Sequence, residues 1–130
     1  MDEPRATDEE HESAYALLQR GQALIRRRHH AQAAIVLERA ARIEPAKGSI
    51  LEPLGRAYHH SGQYEQARAT FEALLELDPS GHWAHFAVAE SLRKLGRLDE
   101  ARTHLRLAVA LSPGSELYRT ALARLEPPKP

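Results

Sequence analysis

The sequence predicts an all-α solenoid of three helix-turn-helix units that a shorter C-terminal helix closes. Pro45, Pro79 and Pro113 are evenly spaced, and small and apolar residues recur with the same period of about 34 residues. A fixed period of this length is typical of stacked units, each of which buries its apolar face against its neighbours. Three of the recurring sets are Gly21/Gly55/Ala89, Ala33/Ala67/Ala101 and Leu37/Phe71/Leu105.

Each unit is predicted to contain two helices. In the second unit, apolar residues lie at helical spacing on both sides of Ser61 and Gly62. Glycine suits a helix C-terminus because a left-handed backbone costs it little, and proline suits the start of the next helix. Thr7 and Glu10 have capping-box spacing. The predicted helices cover 8–27, 31–43, 49–60, 63–77, 81–95, 98–111 and 114–125.

The predicted domain organisation is an acidic, disordered tail over 1–12, a repeat domain over 13–125 and a proline-rich tail over 126–130. The repeat domain contains units at 14–47, 48–81 and 82–115, with the capping helix at 114–125. We expect one face of that helix to cover the third unit and the other to meet water. The covering face is assigned to Leu117, Leu122 and Leu125, and the wet face to Glu116, Arg119 and Arg124.

Composition excludes several classes of function. The net formal charge of zero argues against a dedicated nucleic-acid or membrane-surface protein. The chain has no cysteine, so it forms no disulfide and offers no thiolate. It lacks an apolar N-terminal run, and no stretch of about 18 apolar residues is present. We therefore expect a cytoplasmic protein that does not cross a membrane.

Charge is unevenly distributed along the chain. Residues 1–12 contain six acids and one arginine, a net of −5, whereas the remainder contains 17 basic and 12 acidic residues, a net of +5. The acidic tail is interpreted as a solvated end. The alternative is that it folds over the basic body and competes with a ligand.

The second unit carries a family motif: Leu-Gly-Arg-Ala-Tyr over 54–58, then Gly62, Ala67, Phe71 and Pro79. These residues resemble the tetratricopeptide repeat, and the resemblance covers about residues 14–125. It implies a right-handed α-solenoid of three repeats whose first helices line a concave face. The chain departs from the motif at Arg20, at His85 and at Arg28, which replaces a turn glycine. A left-handed residue at 28 costs about 1 kcal/mol, so we expect a distorted first turn.

The resemblance places a stripe of the first helices on the concave face. Its members step by 3, 4 and 3 residues and so share one helical face. Trp83 and Phe86 are interpreted as an aromatic anchor for a ligand; alternatively, both rings pack beneath the preceding helix. The predicted binding residues are Tyr15, Leu18, Gln22, Ile25, Ser49, Glu52, Arg56, His59, Trp83, Phe86, Glu90, Arg93 and Lys94.

The charges in this stripe have two interpretations. Arg56, Arg93 and Lys94 are available to acidic groups of a peptide, or they belong to a solvated face. Many relatives clamp acidic chaperone peptides with lysine, arginine and asparagine. The matching positions here are Leu18, Gln22, Pro53, Trp83 and Ala87, so no chaperone carboxylate clamp is expected.

No catalytic or metal-binding pattern is recognised. The adjacent pairs His29-His30 and His59-His60 diverge by about 100° on a helix. No further ligand accompanies His82 and His85 at helical spacing, and His85 is expected to be half-buried and hydrogen-bonded. We predict no cofactor, no metal and no enzyme activity.

The predicted function is therefore a non-catalytic adaptor that binds a protein or peptide, as an extended segment or a partner helix, in the concave groove. The alternative is a self-assembly module that uses the same apolar patch or an exposed end of the solenoid to form a homo-oligomer. Neither nucleic acid nor a membrane is expected as a partner.

Overall fold

The computed structural model describes residues 12–127. This part of the chain forms seven α-helices and contains no strand. Three hairpins form from α1 with α2, α3 with α4, and α5 with α6, and each second helix also packs on the next first helix. The predicted all-α solenoid is confirmed. The helices are α1 Ala14–Arg26, α2 His30–Ile43, α3 Gly48–His60, α4 Tyr64–Leu77, α5 His82–Lys94, α6 Leu98–Leu111 and α7 Glu116–Leu125.

The three hairpin turns share one geometry. Arg28, Gly62 and Gly96 have φ values of 64°, 81° and 79°. In each turn, the residue after the left-handed one donates its backbone N–H to the carbonyl oxygen of the residue five positions earlier, as His29 does to Leu24 at 2.9 Å. The expectation of a distorted first turn is wrong, because exposed Arg28 adopts the left-handed conformation that this turn requires.

The first helix begins later than predicted. Helix α1 starts at Ala14, and the Ser13 side chain accepts a hydrogen bond from the N–H of Ala16 at 3.0 Å. A start at residue 8 is wrong because residues 12 and 13 precede the helix and Ser13 supplies the cap. Thr7 and Glu10 lie outside the described residues.

Small residues allow the helices of each hairpin to approach closely. An ideal Cβ on Gly21 would lie 2.5 Å from the Leu37 side chain, and one on Gly55 would lie 2.4 Å from the Phe71 ring. The partners Leu37, Phe71 and Leu105 are all buried and recur at intervals of one period. The same kind of contact, between a small residue and a large apolar one, therefore recurs inside successive hairpins.

Two of the three residues predicted to hold the capping helix do so, and a third residue replaces the other. Leu122 and Leu125 pack against the core as expected, but Leu117 is 59% exposed, so its assignment to the covering face is wrong. Tyr118 is buried instead. The reason is register: Tyr118 stands one period after Ala84, which is buried, and Leu117 stands one period after Trp83.

The outer face of α7 is polar. Glu116, Arg119 and Arg124 are exposed, as predicted. Arg102 of α6 donates to the carbonyl oxygen of Leu125 at 2.8 Å, and Arg106 pairs with Glu126 at 3.1 Å. Arginines of the last hairpin therefore cap the helix that closes the stack. Of the proline-rich tail, residues 128–130 lie outside the described part.

Candidate functional site

Three cavities lie in a row between the first helices of successive hairpins. The first, of about 520 Å³, lies between α1 and α3. The second, of about 230 Å³, lies mainly between α3 and α5, and the third, of about 710 Å³, lies between α5 and α7. Together they form the candidate binding surface, which we call the groove.

Side chains separate the cavities from one another. Arg56 lines both the first and the second cavity. Phe86 and Glu90 line both the second and the third. A ligand that crosses from one cavity to the next must therefore pass these three side chains.

Trp83 combines the two interpretations that the sequence left open. Its half-buried ring packs against the core and meets the Phe71 ring edge-on, with centroids 5.4 Å apart. It also lines the second cavity, where the Arg56 guanidinium lies 4.4 Å from the ring centre. The indole is thus part of the core at one edge and part of the groove at another.

Phe86 has a similar double position. It is half-buried, packs against the core and lies 5.2 Å from the Tyr118 ring, centroid to centroid. Tyr118 is fixed in turn by a 2.7 Å hydrogen bond between its hydroxyl and Nδ1 of His82. The capping helix therefore supports Phe86, one of the aromatic rings that line the second cavity.

Most other predicted binding residues line a cavity, but three do not. Leu18 is half-buried, packs against the core and lines none of the three cavities. Tyr15 is 70% exposed and lines none of the three cavities. Lys94 lies over the Tyr64 ring with its Nζ 5.9 Å from the ring centre. The cavity-lining members are Gln22, Ile25, Ser49, Glu52, Arg56, His59, Trp83, Phe86, Glu90 and Arg93.

Two of the three carboxylates that line the groove, Glu52 and Glu90 but not Glu116, are paired within their own helices. Arg56 donates to Glu52 at 3.0 Å, and Arg93 donates to Glu90 at 3.3 Å. Both pairs are partly exposed, so each contributes at most a few tenths of a kcal/mol, about the value of an exposed helical pair. Their main effect is to cancel charge inside the groove.

A histidine contact between the first two hairpins was not predicted. The rings of His30 and His60 lie 4.8 Å apart, and His59 meets the Tyr64 ring at 5.2 Å. Burial is the largest cause that lowers the pKa of both His30 and His59, and the electrostatic interaction with His60 is the second. Residues 12–127 contain no group of three or more side chains suited to hold a metal ion.

His85 is hydrogen-bonded as expected but is fully rather than half buried. Its Nε2 lies 2.9 Å from the carbonyl oxygen of Pro79, which can only accept, so Nε2 carries the proton in the neutral ring. Nδ1 of His85 then accepts from Nδ1 of His104 at 3.0 Å. Burial is the largest cause that lowers the pKa of His104, and the electrostatic interaction with the neighbouring His85 ring is the second.

A family model described as Tetratricopeptide repeat matches residues 52–116, half of the chain. This chain is a tetratricopeptide-repeat protein. Across the described stretch, none of its helices is long and apolar enough to span a membrane.

Curated relatives of this tetratricopeptide-repeat protein are much longer chains. Superkiller complex protein 3 of Mus musculus is 33% identical over 97 residues, which is 75% of this chain and 6% of the relative. Protein O-mannosyl-transferase TMTC1 of Homo sapiens is 34% identical over 74 residues, 56% of this chain and 8% of the relative. The chain spans less than a tenth of either relative.

Solved structures share the tetratricopeptide-repeat fold. MamA from Desulfovibrio magneticus RS-1 has a TM-score of 0.83 and 20% identity, covering 87% of this chain and 64% of that one. The second domain of human RPAP3, in complex with an HSP70 peptide, has a TM-score of 0.82 and 22% identity, covering 91% and 98%. The first domain of Spaghetti (RPAP3), bound to an HSP90 peptide, has a TM-score of 0.80 and 16% identity, covering 88% and 90%. At these identities the likeness shows the fold alone.

The tetratricopeptide period also identifies groove residues that the sequence interpretation missed. Leu117, Thr120 and Arg124 line the third cavity. They stand one period after Trp83, Phe86 and Glu90, which are members of the predicted stripe. Extending the stripe by one more period, through the capping helix, would have found them. The capping helix therefore acts as the first helix of a fourth repeat that has no second helix in residues 12–127.

Proposed function

We propose that this tetratricopeptide-repeat protein is a non-catalytic adaptor that binds a peptide or a partner helix in the groove. The supporting observation is the aromatic pair at the second cavity, where Trp83 and Phe86 line open space. Large aromatic side chains dominate binding energies at many interfaces, and truncating such an anchor often costs about 2 kcal/mol or more. The pair is therefore the proposed anchor point.

Two of the solved relatives support this proposal through their ligands, since the RPAP3 domains hold HSP90 and HSP70 peptides. The family resemblance implies that such clamps use lysine, arginine and asparagine. At the matching positions this chain has Leu18, Gln22, Pro53, Trp83 and Ala87. We therefore propose a peptide class other than chaperone C-termini.

The test is a pull-down from a native extract, with mass spectrometry used to identify the proteins retained. We expect Trp83→Ala/Phe86→Ala to lose a protein that the wild-type chain retains. Ile35→Ala is the matched control, because Ile35 is 61% exposed on a second helix and lines no cavity. Retention of the same partner by the double variant would contradict the proposal.

The double variant also removes core contacts, so a second groove variant is needed. Leu117 is 59% exposed and lines the third cavity, so Leu117→Asp should preserve helicity and melting temperature. Circular dichroism checks both properties. Loss of the partner by this folded variant would separate a binding defect from unfolding.

Self-assembly is the second candidate function and stays a prediction. Tyr15 and Leu117, the exposed apolar residues at the two ends of the stripe, are 70% and 59% exposed. Light scattering over a wide concentration range decides the matter, since self-assembly requires the mass to increase with concentration. A cytoplasmic location and the lack of nucleic-acid or membrane partners also stay predictions.

A further inference from the structure

The third hairpin has a buried histidine at a position where the first two hairpins have leucine. His85 stands one period after Leu51 and two periods after Leu17, and all three side chains are buried. Burying a polar ring costs free energy unless its nitrogen atoms are hydrogen-bonded. Here Nε2 of His85 donates to the carbonyl oxygen of Pro79, and Nδ1 accepts from Nδ1 of His104. The third hairpin therefore depends on a polar contact where the other two have an apolar one.

We use the name histidine pair for His85 and His104. The pair connects three segments of the chain, since His85 belongs to α5, His104 to α6 and Pro79 to the turn between α4 and α5. The two ring centres are 5.3 Å apart, whereas the two Nδ1 atoms are 3.0 Å apart. The rings therefore meet through these nitrogen atoms and not face to face.

The hydrogen bonds determine which nitrogen atoms of the neutral pair carry a proton. Nε2 of His85 and Nδ1 of His104 are the donors, and Nδ1 of His85 is the acceptor between the rings. Nε2 of His104 is then the one nitrogen of the pair with a free lone pair, and His104 is the less buried of the two rings. A first added proton therefore binds at this atom and leaves both hydrogen bonds in place.

A second added proton must break the contact. The remaining lone pair is that of Nδ1 in His85, which accepts the hydrogen bond from His104. Protonation at this atom would direct two N–H groups at each other and place two positive charges at a buried site. The rings must then separate. The histidine pair is thus compatible with no added proton or with one, but not with two.

The neighbouring charges do little to offset this repulsion. Burial is the largest cause that lowers the pKa of His104, and the carboxylates of Glu72 on α4 and Glu100 on α6 act against it. Both carboxylates already form ion pairs, Glu72 with Arg68 and Glu100 with Arg97. A doubly charged pair would therefore compete with two arginines for the same carboxylates.

The contact between α5 and the capping helix also contains a histidine, but it tolerates acid. Nδ1 of His82 on α5 lies 2.7 Å from the Tyr118 hydroxyl on α7. A neutral imidazole can accept from this hydroxyl, and a charged imidazole can donate to it. Protonation of His82 therefore preserves the contact. Acid acts on α5 through the histidine pair and not through its contact with α7.

Separation of the pair would reach the groove, because α5 has residues in both places. Phe86 and Glu90, also on α5, line the second and third cavities. In a solenoid each unit contacts only its neighbours, and parts of a protein with few neighbours open most easily. The third hairpin is followed only by the single helix α7 within residues 12–127. It can therefore open while the first hairpin stays folded.

We propose that the histidine pair is an acid-sensitive contact, which keeps the third hairpin closed through a first protonation and opens it at a second. Opening moves α5 away from α6 and disrupts the second and third cavities. This inference concerns the folded chain itself and does not depend on what the groove binds. Its failure would therefore leave the proposed function untouched.

Nuclear magnetic resonance of the full chain, labelled with nitrogen-15 in histidine, tests the order of protonation. Long-range nitrogen–hydrogen spectra report the tautomer and charge of each ring as the pH is lowered. We expect His104 to become charged first, while His85 stays neutral with its proton on Nε2. The neutral His85 signal should be lost only in more acid solution. Protonation of His85 before His104, or of both in one step, would overturn the proposal.

Hydrogen exchange, followed by mass spectrometry over the same pH range, tests the location of the opening. When His85 becomes charged, protection of the amides in α5 and α6 should decrease at least about tenfold more than that in α1 and α2. An equal decrease in all three hairpins would show global unfolding and contradict a local opening. Unchanged protection in the third hairpin would contradict any opening at this pair.

The decisive variant is His85→Leu, which introduces the residue type of the first two hairpins and removes the second protonation. Its third hairpin should keep its protection in acid. The matched control is His59→Gln, because His59 is also half-buried with a lowered pKa but lies on α3. The control should open as the wild type does. Acid opening in His85→Leu would overturn the proposal, and the spectra of the wild-type chain decide the question if this variant fails to fold.

Discussion

The guanidinium carbon of Arg56 lies 4.4 Å from the centre of the Trp83 indole ring. Arg56 belongs to α3 and Trp83 to α5, so the contact joins two neighbouring repeats across the second cavity. The same arginine donates to Glu52 at 3.0 Å, which holds it in place. Because the chain has one tryptophan, the fluorescence of Trp83 reports directly on this part of the groove.

Arg56→Ala should make the indole more accessible to solvent, with little change in stability. An exposed cation–π contact contributes about 0.5–1 kcal/mol, so the free energy of unfolding should fall by no more than this amount. We expect a red-shifted emission maximum and a larger acrylamide quenching constant. The control is Arg106→Ala, because Arg106 belongs to α6 and is far from the Trp83 indole. Unchanged quenching in Arg56→Ala would show that the arginine does not cover the ring.

Gly55→Ala should destabilise the protein through steric overlap. The added Cβ would lie 2.4 Å from the Phe71 ring, and that ring is buried, so the hairpin must open or the ring must move. Overpacking of this kind costs about 1–3 kcal/mol. Urea unfolding followed by circular dichroism measures the loss. Gly55→Ala combined with Phe71→Leu should recover part of it, whereas no recovery would contradict the steric explanation.

Arg28→Gly should raise the free energy of unfolding by up to about 1 kcal/mol. Arg28 has a φ of 64°, and a left-handed conformation costs a residue with a Cβ about 1–2 kcal/mol. Glycine recovers most of this but loses more chain entropy on folding. Arg27→Gly is the matched control: its φ of −88° needs no glycine, so it should destabilise the protein. Equal effects of the two changes, measured by thermal unfolding, would refute the strain argument.

Acidification from pH 7.5 to 5.5 should lower the free energy of unfolding. Burial is the largest cause that lowers the pKa of His30, His59 and His104 below 6.5 in the folded chain. Below pH 6.5 the unfolded chain therefore binds more protons than the folded one. The free energy of unfolding has its full value only above that pH and decreases as the pH falls below it. Asp78 and Glu100 have lowered pKa values and lose their contribution only in more acid solution.

Replacing one of these histidines separates their effect from that of the carboxylates. His104→Gln keeps a side chain that can donate to Nδ1 of His85 but does not titrate. Its free energy of unfolding should change less between pH 7.5 and 5.5 than that of the wild type. Parallel pH profiles of the two proteins would exclude His104 as a source of the acid sensitivity.

The turns and hairpins were predictable because their determinants are local. A glycine that takes a positive φ, as Gly62 and Gly96 do, marks a helix end in any context. The constant repeat period then places equivalent residues in equivalent contacts. The position of α1 was less predictable, because two polar segments, at Thr7 and at Ser13, both offer a capping residue.

The candidate site was predictable only in part, because its residues share one helical face with residues that pack. Leu18 stands one period before Glu52, which lines the first cavity, yet it packs against the core. The first hairpin has no preceding neighbour in the described residues, so the same position there meets different surroundings. The contact of His30 with His60 likewise depends on two hairpins and on no spacing within one helix.

By itself, the sequence determined the number of hairpins, their turns and the residues that pair inside each of them, because these depend on period and local backbone preference. Only the tertiary structure decided which members of the stripe border open space, where the cavities are divided, and which charges are left without a partner. Those properties depend on the distance and angle between stacked hairpins. Long side chains such as Arg56 and Trp83 make their contacts only when neighbouring repeats are in place.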